Sequence, residues 1–208
     1  MGRIKEISRK SSNRRRRSVI YIICEGSETE PRYFKQFRTR YCNIDIYPIS
    51  SQYRAADRLV EKVLATLGGA PYFPDEGDQI WCVFDRDDNT DNSLAIAERE
   101  ARKHGYHIAF SNPSFEYWYL LHFINYRTEL NDCDAVIRQL KYPERLPEYG
   151  KSEDIYSKIK PNEKKAIDRA RHRLNDLRKE HVRLLSRASN PSTSVVELVE
   201  FLNQKTMG

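Results

Sequence analysis

Apolar residues along this chain fall into short unbroken blocks, separated by stretches in which they recur at helical spacing. Val19–Cys24 (VIYIIC) is a continuous apolar run, as a strand needs when both faces of its sheet are covered. In TEPRYFKQFRTRY, Tyr33, Phe34, Phe37 and Tyr41 share one helical face, and Pro31 suits a first turn. NIDIYPIS alternates like a half-exposed strand, and Pro48 assigns it to a sheet edge. RAADRLVEKVLATLGG repeats Leu59, Val60, Val63, Leu64 and Leu67 at helical intervals until its glycines stop it. DQIWCVFDRDD is another apolar block, NSLAIAEREARKHG is a capped helix closed by Gly105, and YHIAFS is a further strand. The order β-α-β-α-β-α-β predicts an α/β fold, a mostly parallel sheet flanked by helices.

NPSFEYWYLLHF then opens a helix with Ser114 as N-cap and Trp118, Leu120, Leu121 and Phe123 in the core. Residues 141–152 read as a loop. Ile167, Ala170, Leu174, Leu177, His181, Leu184 and Ala188 recur at steps of three and four, which predicts one long helix with a basic outer face. Its heptad-like stripe is a surface that a homodimer would use. STSVVELVEFLNQK, after the turn SNP, predicts a last helix. The expected organisation is a basic flexible arm (1–17), an α/β core (18–125) and a C-terminal helical extension packed on it (126–208).

Of the 208 residues, 39% are hydrophobic and 32% charged, the profile of a soluble globular protein. No apolar run nears the ~20 residues of a membrane span, so no membrane insertion is expected, and the basic N-terminus lacks the features of a signal peptide. Cys24, Cys42, Cys82 and Cys133 form no C-x-x-C pair, which speaks against structural zinc or a disulfide framework and for a reducing cytoplasm. The net charge of +6 is uneven: +7 over residues 1–17, −6 over 18–150 and +6 over 151–190. Basic segments attract phosphate backbones and clustered acids hold metal ions, although a solvated surface and tail account for the same distribution.

Two of the apolar blocks run straight into acids. Glu25 follows the first, and Asp85 and Asp87 follow DQIWCVF. Sites in open parallel sheets form just beyond the carboxyl ends of strands, where these side chains would meet if their strands are neighbours. Carboxylates gathered in this way repel unless protonated or bound to a cation, and Mg²⁺ (or Mn²⁺ in its place) suits such a set. That these acids merely begin polar loops stays open on residue types alone. A calcium loop does not: in DRDDNTDNS and beyond, the positions requiring Gly and Glu hold Thr90 and Ile96. Gly26 allows a sharp turn and close backbone approach beside Glu25.

An apolar strand ending in Glu, with a later strand ending in Asp-x-Asp, resembles the TOPRIM domain, the magnesium-binding fold of topoisomerases, bacterial primases and OLD-type nucleases. EGSETE is close to the form seen in OLD-like nucleases. More specifically, CEGSETEPRYF, NPSFEYWYLLHF and NPSTSVVELV, in that order, resemble the RloB family of bacterial defence-associated proteins over nearly the whole chain after the arm. The resemblance implies a TOPRIM-like core and a metal-dependent nuclease acting on RNA (tRNA included) or DNA in antiphage defence, with an ATPase partner encoded nearby. The chain departs from topoisomerases and primases in having no strand-passage tyrosine with its own domain and no zinc module. It also has no G-x-x-x-x-G-K-[ST] run, so nucleotide-driven control would come from another protein.

In such a nuclease, Asp85 and Asp87 would hold metal ions that neutralise the scissile phosphate and activate water. Glu25 would complete the metal shell or act as general base. Glu28 and Glu30 are further metal candidates, although acids at a helix start also answer its dipole. Glu116 either faces the same edge as a catalytic group or stabilises its own helix. Arg86, Asn112 and Ser114 are candidates for substrate phosphate. Lys158, Lys160, Lys164, Lys165, Arg169 and Arg173 would guide a nucleic-acid backbone, with a merely solvated basic face as the alternative. Arg14 to Arg17 would add salt-sensitive attraction. Asp88 and Asp91 read as loop solvators or helix caps, and His122 and His181 as packing residues. The competing function is a non-catalytic nucleic-acid-binding adaptor or regulatory subunit on a degenerate core. A receiver-like phosphoryl-transfer domain would need a lysine after a later strand, and none is evident.

Overall fold

The structure is a computed structural model and describes residues 16–38, 44–86 and 89–206. In chain order the elements are β1 (Ser18–Cys24), α1 (Thr29–Lys35), β2 (Ile44–Ser50), α2 (Ala56–Glu61), α3 (Val63–Leu67), β3 (Gln79–Asp85), α4 (Asp91–His104) and β4 (His107–Asn112). Then follow α5 (Glu116–Leu120), α6 (Cys133–Leu140), α7 (Tyr156–Ile159), α8 (Glu163–Lys179), β5 (Ser192–Thr193) and α9 (Val195–Thr206). The strands form one sheet in the order β2-β1-β3-β4-β5, parallel throughout except for the β4–β5 pair. The α/β architecture expected from the strand–helix alternation is present, and Pro48 sits on the edge strand.

Alternation along each strand divides its side chains between two cores. Ile20, Ile22, Cys24, Trp81 and Val83 face α1, α5, α8 and α9, while Val19, Tyr21, Ile23, Ile80, Cys82 and Phe84 face α2, α3 and α4. Burial on both faces is why β1 and β3 read as continuous apolar runs. The segment expected as a helical extension packed on the core contributes to the first of these cores, which holds Leu174 and Val199 together with Ile20 and Ile22, and it also supplies β5. Cys24 and Cys82 are fully buried small hydrophobes whose thiols burial pushes up. No helix among the described residues is long and apolar enough to cross a membrane.

Several local expectations are corrected. The helix expected after β2 breaks at Lys62 into α2 and α3, which leaves Leu64 61% exposed while Leu59, Val60, Val63 and Leu67 are buried. Phe115, not Ser114, precedes α5 as its N-cap, and no side chain caps it. The long C-terminal helix stops at Lys179. Val182 N–H donates to Leu177 O (2.9 Å) and His181 N–H to Arg178 O (3.1 Å), with His181 at φ 57°. That is a Schellman closure with His in the left-handed position usually taken by Gly. His181 is therefore exposed and not a packing residue. His122 is buried as expected, donates from Nδ1 to Trp118 O (2.9 Å), and is pushed down to about 4 by burial. Ala166, Ala170, Leu174 and Leu177 of α8 are buried within this chain, so the stripe offered for a homodimer is already covered. Thr90 caps α4, and Asp91 accepts from the Arg187 amide. Tyr41, Cys42, Asp88 and residues 1–15 of the arm lie outside the described residues.

Candidate functional site

β1 is flanked by β2 on one side and β3 on the other, so the chain crosses back over β1 between β2 and β3. The crevice beyond the carboxyl ends of β1 and β3 is therefore the switch point of the sheet, the place where open α/β folds bind ligands. Glu25 N–H donates to Val83 O (2.9 Å), which extends the ladder one residue past β1. Glu25 Oε2 accepts the Asp85 amide (3.1 Å), and Asp85 Oδ2 accepts the Phe115 amide (3.1 Å). The Asp85 carbonyl accepts Asn89 Nδ2 (2.9 Å), whose Oδ1 accepts the Ala56 amide (2.9 Å), tying the strand end to α2. Residues 60 apart in sequence thus meet because their strands are neighbours, and backbone amides orient both carboxylates.

The cleft in front of them has a volume of about 260 Å³, and Glu25, Glu30, Asp85, Glu116, Arg54 and Lys151 are among its walls. Glu30 turns back from the start of α1 and accepts the Gly26 amide at Oε1 (3.1 Å). A Cβ on Gly26 would lie 2.1 Å from Glu30 Oε2, so glycine is required here for close approach. The expected sharp turn is not the reason, because Gly26 is not among the glycines with positive φ.

Burial pushes the Glu30 carboxyl above its ordinary range and the Glu116 charge adds to this, against the pull of backbone amides and Lys151. A carboxyl raised in the folded state adds stability below its ordinary pKa of about 4.3, and loses it as pH climbs through the raised value. At pH 7 the folded protein therefore carries a cost that Glu30→Gln removes, while the amide oxygen still accepts from Gly26. Melting curves from about pH 4 to 8 should show Glu30→Gln gaining Tm over wild type with rising pH. A difference that does not change with pH would show that this carboxyl is not perturbed.

Glu116 is buried, lines the cleft and also stands in the first turn of α5, so both placements open to it are met. Tyr149 donates its hydroxyl to Oε1 (3.1 Å) and Cys133 its thiol to Oε2 (3.4 Å). Burial pushes the Cys133 thiol up to about 12 and the Tyr149 hydroxyl higher still, so both keep their protons at neutral pH. Glu28, by contrast, stands at the exposed rim and pairs with Arg32 (2.7 Å). Arg54 donates to Glu25 O from the far side. Arg54 and Lys151 bring positive charge into an otherwise acidic cleft, and sequence reasoning missed both. Arg54 was absorbed into the predicted helix and Lys151 into a loop, where no periodicity marks a side chain for a site.

A family model described as RloB-like protein matches residues 20–202. The chain belongs to the RloB-like family. No curated protein and no solved structure matches it. The RloB-like region runs from β1 into α9 and so contains every wall of the cleft.

Among the described residues of this RloB-like chain, no group of three His, Cys, Asp or Glu side chains is placed to hold a metal ion. Asp87, the third acid expected in the set, lies outside the described residues. Glu25 and Asp85 are hard oxygen donors on adjacent strand ends, and Mg²⁺ commonly takes one or two protein carboxylates while keeping waters and phosphate oxygens. The donor chemistry therefore fits a magnesium-like ion.

The remaining candidates separate by burial. Arg86 donates from its backbone to Ser111 O (2.8 Å) and from Nη2 to Asn131 O (3.1 Å), bridging β3 to a neighbouring loop. Asn112 and Ser114 are inside the protein and present nothing to a substrate, a correction to their expected phosphate role. Asn112 Nδ2 instead donates to Ser186 O (3.1 Å), Arg187 O (3.2 Å) and Ser189 Oγ (3.2 Å), holding the turn before β5. Asn112→Ala strands these buried acceptors and should cost about 2–3 kcal/mol in denaturant unfolding.

The basic residues considered for a nucleic-acid backbone fall into two groups. Arg169 donates to Leu121 O (2.6 Å) and Arg173 to Pro191 O (2.9 Å), as backbone braces. Lys158 pairs with Glu153 and Lys160 with Glu163, each at 2.8 Å, whereas Lys164 and Lys165 are exposed at the start of α8.

Proposed function

We propose that this RloB-like protein is a divalent-metal-dependent nuclease that hydrolyses phosphodiester bonds of RNA, tRNA included, or of DNA. The observation that carries the reading is the convergence of Glu25 and Asp85 with Arg54 and Lys151 in one cleft at the sheet's switch point. Carboxylates alone repel a polyanion; carboxylates beside two cations form a site for a metal ion and a phosphate together. Glu25 and Asp85, with Asp87 as the next acid in the chain, would hold Mg²⁺ or Mn²⁺, in the manner of a TOPRIM-like core. The ion, when bound, neutralises charge on the scissile phosphate and lowers the pKa of water.

The chain's own side chains supply the rest. Arg54 and Lys151 orient the non-bridging phosphate oxygens. Glu116, fixed by the protonated Tyr149 and Cys133, offers a carboxylate oxygen to receive the proton of the attacking water, in an orientation set by protein donors. Glu30 and Gly26 hold the Glu25 turn in place. The resemblance supports a role in antiphage defence beside an ATPase partner, which would provide the nucleotide control that this chain has no phosphate loop to provide.

The test is cleavage of mixed tRNA, plasmid and single-stranded DNA by the purified protein in Mg²⁺, Mn²⁺ or EDTA. Cutting that requires metal establishes the activity and identifies the substrate class. No cutting in any condition, with the ATPase partner present, would favour the adaptor.

A further inference from the structure

A second cavity lies just past the C-terminal end of α5, whose first residue, Glu116, belongs to the cleft. Its volume is about 300 Å³, and it shares no wall residue with the cleft. Residues 122–124 form one side, residues 144–145 another, and Asn162 and Lys165, around the start of α8, a third. His122 is 1% exposed, and its Nδ1 donates to Trp118 O, which fixes the proton on that nitrogen. Burial keeps the ring neutral at pH 7, so Nε2 is left as a lone-pair acceptor. It has no hydrogen-bond partner among the described residues. Native proteins keep few buried polar atoms in that condition, because each one costs the desolvation of an unmet group.

The donors at the same cavity also have capacity to spare. The Arg145 side chain is only 9% exposed. Its Nη1 donates to Gln139 O (2.6 Å) and Gln139 Oε1 (3.3 Å), and its guanidinium lies 4.8 Å from the centre of the Tyr142 ring. Those contacts hold the guanidinium in place, while Nη2 has only the Glu144 carboxylate, 3.7 Å away and 66% exposed. Lys165 makes no ion pair, and the Asn162 amide no hydrogen bond, among the described residues. Two cations against one exposed acid attract an anion and turn a metal ion away. A phosphate monoester carries about −1.5 to −2 at neutral pH and offers three acceptor oxygens, enough for a guanidinium edge, an ammonium and an amide N–H. A carboxylate brings half that charge and fewer oxygens. His122 Nε2 needs the opposite, a donor, and a hydroxyl on the same molecule supplies it. The volume stands at the low end of small-molecule sites, about 300–1,000 Å³, which suits a phosphorylated triose or pentose and not a nucleic-acid strand.

We propose that this cavity binds a small phosphate monoester carrying a hydroxyl group, with the phosphate on Arg145, Lys165 and Asn162 and the hydroxyl donating to His122 Nε2. The site stands independently of the nuclease reading.

The test is isothermal titration calorimetry of the full chain, in EDTA so that no metal recruits phosphate to the cleft. The probes are ribose 5-phosphate, glycerol 3-phosphate, methyl phosphate, inorganic phosphate and ribose. At least one of the two hydroxyl-bearing esters should bind about threefold to tenfold more tightly than methyl phosphate, the scale of one neutral hydrogen bond, and ribose should bind most weakly. Lys165→Ala should weaken that ester about tenfold or more, as expected for a bond to a charged group. Lys164→Ala, which removes an exposed lysine outside the cavity walls, should leave its affinity unchanged. His122→Phe should bring the ester down to the affinity of methyl phosphate. Should that variant fail to fold, as circular dichroism would show, the probe series and the two lysine variants still decide. No binding of either ester overturns the proposal, and so does methyl phosphate or inorganic phosphate binding as tightly as both. Equal losses in Lys164→Ala and Lys165→Ala overturn it too, because they would mean only diffuse attraction to a basic surface. A loss in Lys151→Ala without one in Lys165→Ala would put the ligand in the cleft and overturn it as well.

Discussion

Asp85→Asn is expected to lower metal-dependent cleavage by about 10²- to 10³-fold, the usual scale for losing one electrostatic element of a site. The fold should survive the change. Asp85 Oδ2 accepts the Phe115 amide, and an asparagine oxygen of the same size can accept that bond. What disappears is one negative charge on a hard-oxygen donor at the switch point, and with it the metal affinity that the proposed nuclease would need. Nucleic-acid binding should hold or tighten, because a carboxylate that repels phosphate has gone. The measurement is cleavage of the preferred substrate by wild type and variant over a range of Mg²⁺ and Mn²⁺, with melting curves for both. A variant that cuts at the wild-type rate would remove Asp85 from the metal set. A variant that is inactive and also melts far below wild type would show that Asp85 is chiefly a strand-end brace.

Trp118→Ala should be the most destabilising of the changes considered, by about 3–5 kcal/mol. For a chain of this length that corresponds to a fall in Tm of roughly 6–20 °C. Trp118 is fully buried in α5 and meets His122 edge-on at 4.9 Å. Its core also takes in Leu174 of α8, Val199 of α9 and Ile20 of β1. Loss of the indole opens a cavity where the sheet meets the C-terminal helices. Because a single core spans both parts of the chain, unfolding should remain one transition by both far-UV circular dichroism and tryptophan fluorescence. Two separated transitions would mean that residues 126–208 form an independent unit after all.

Much of the sheet was legible because burial on two faces leaves an unmistakable local mark. β1 and β3 stand out as apolar runs, and Pro48 placed β2 at an edge where a missing amide costs nothing. That Glu25 and Asp85 meet could be anticipated from their positions at strand ends. What escaped were features with no period to detect. β5 is two residues long. The stop of α8 rests on His181 adopting φ 57°, where a reader expects glycine, while the apolar spacing runs on regardless. Lys62 breaks a helix whose apolar spacing looks continuous. Ser114 has the chemistry of a cap but lies inside the protein, and Asn112 has the chemistry of a phosphate ligand but holds a turn.

By itself, then, the sequence determined the class of fold, the strands with covered faces and the pair of acids delivered to their ends, because each depends on neighbours in the chain. Only the tertiary structure decided the company those acids keep. Strand order set β1 beside β3, folding back of α1 buried Glu30 against Gly26, and segments distant in sequence brought Arg54 and Lys151 to the cleft and Tyr149 and Cys133 to Glu116 in its wall. Those meetings follow from packing two helical layers onto one sheet, a global constraint that no local pattern of residues encodes.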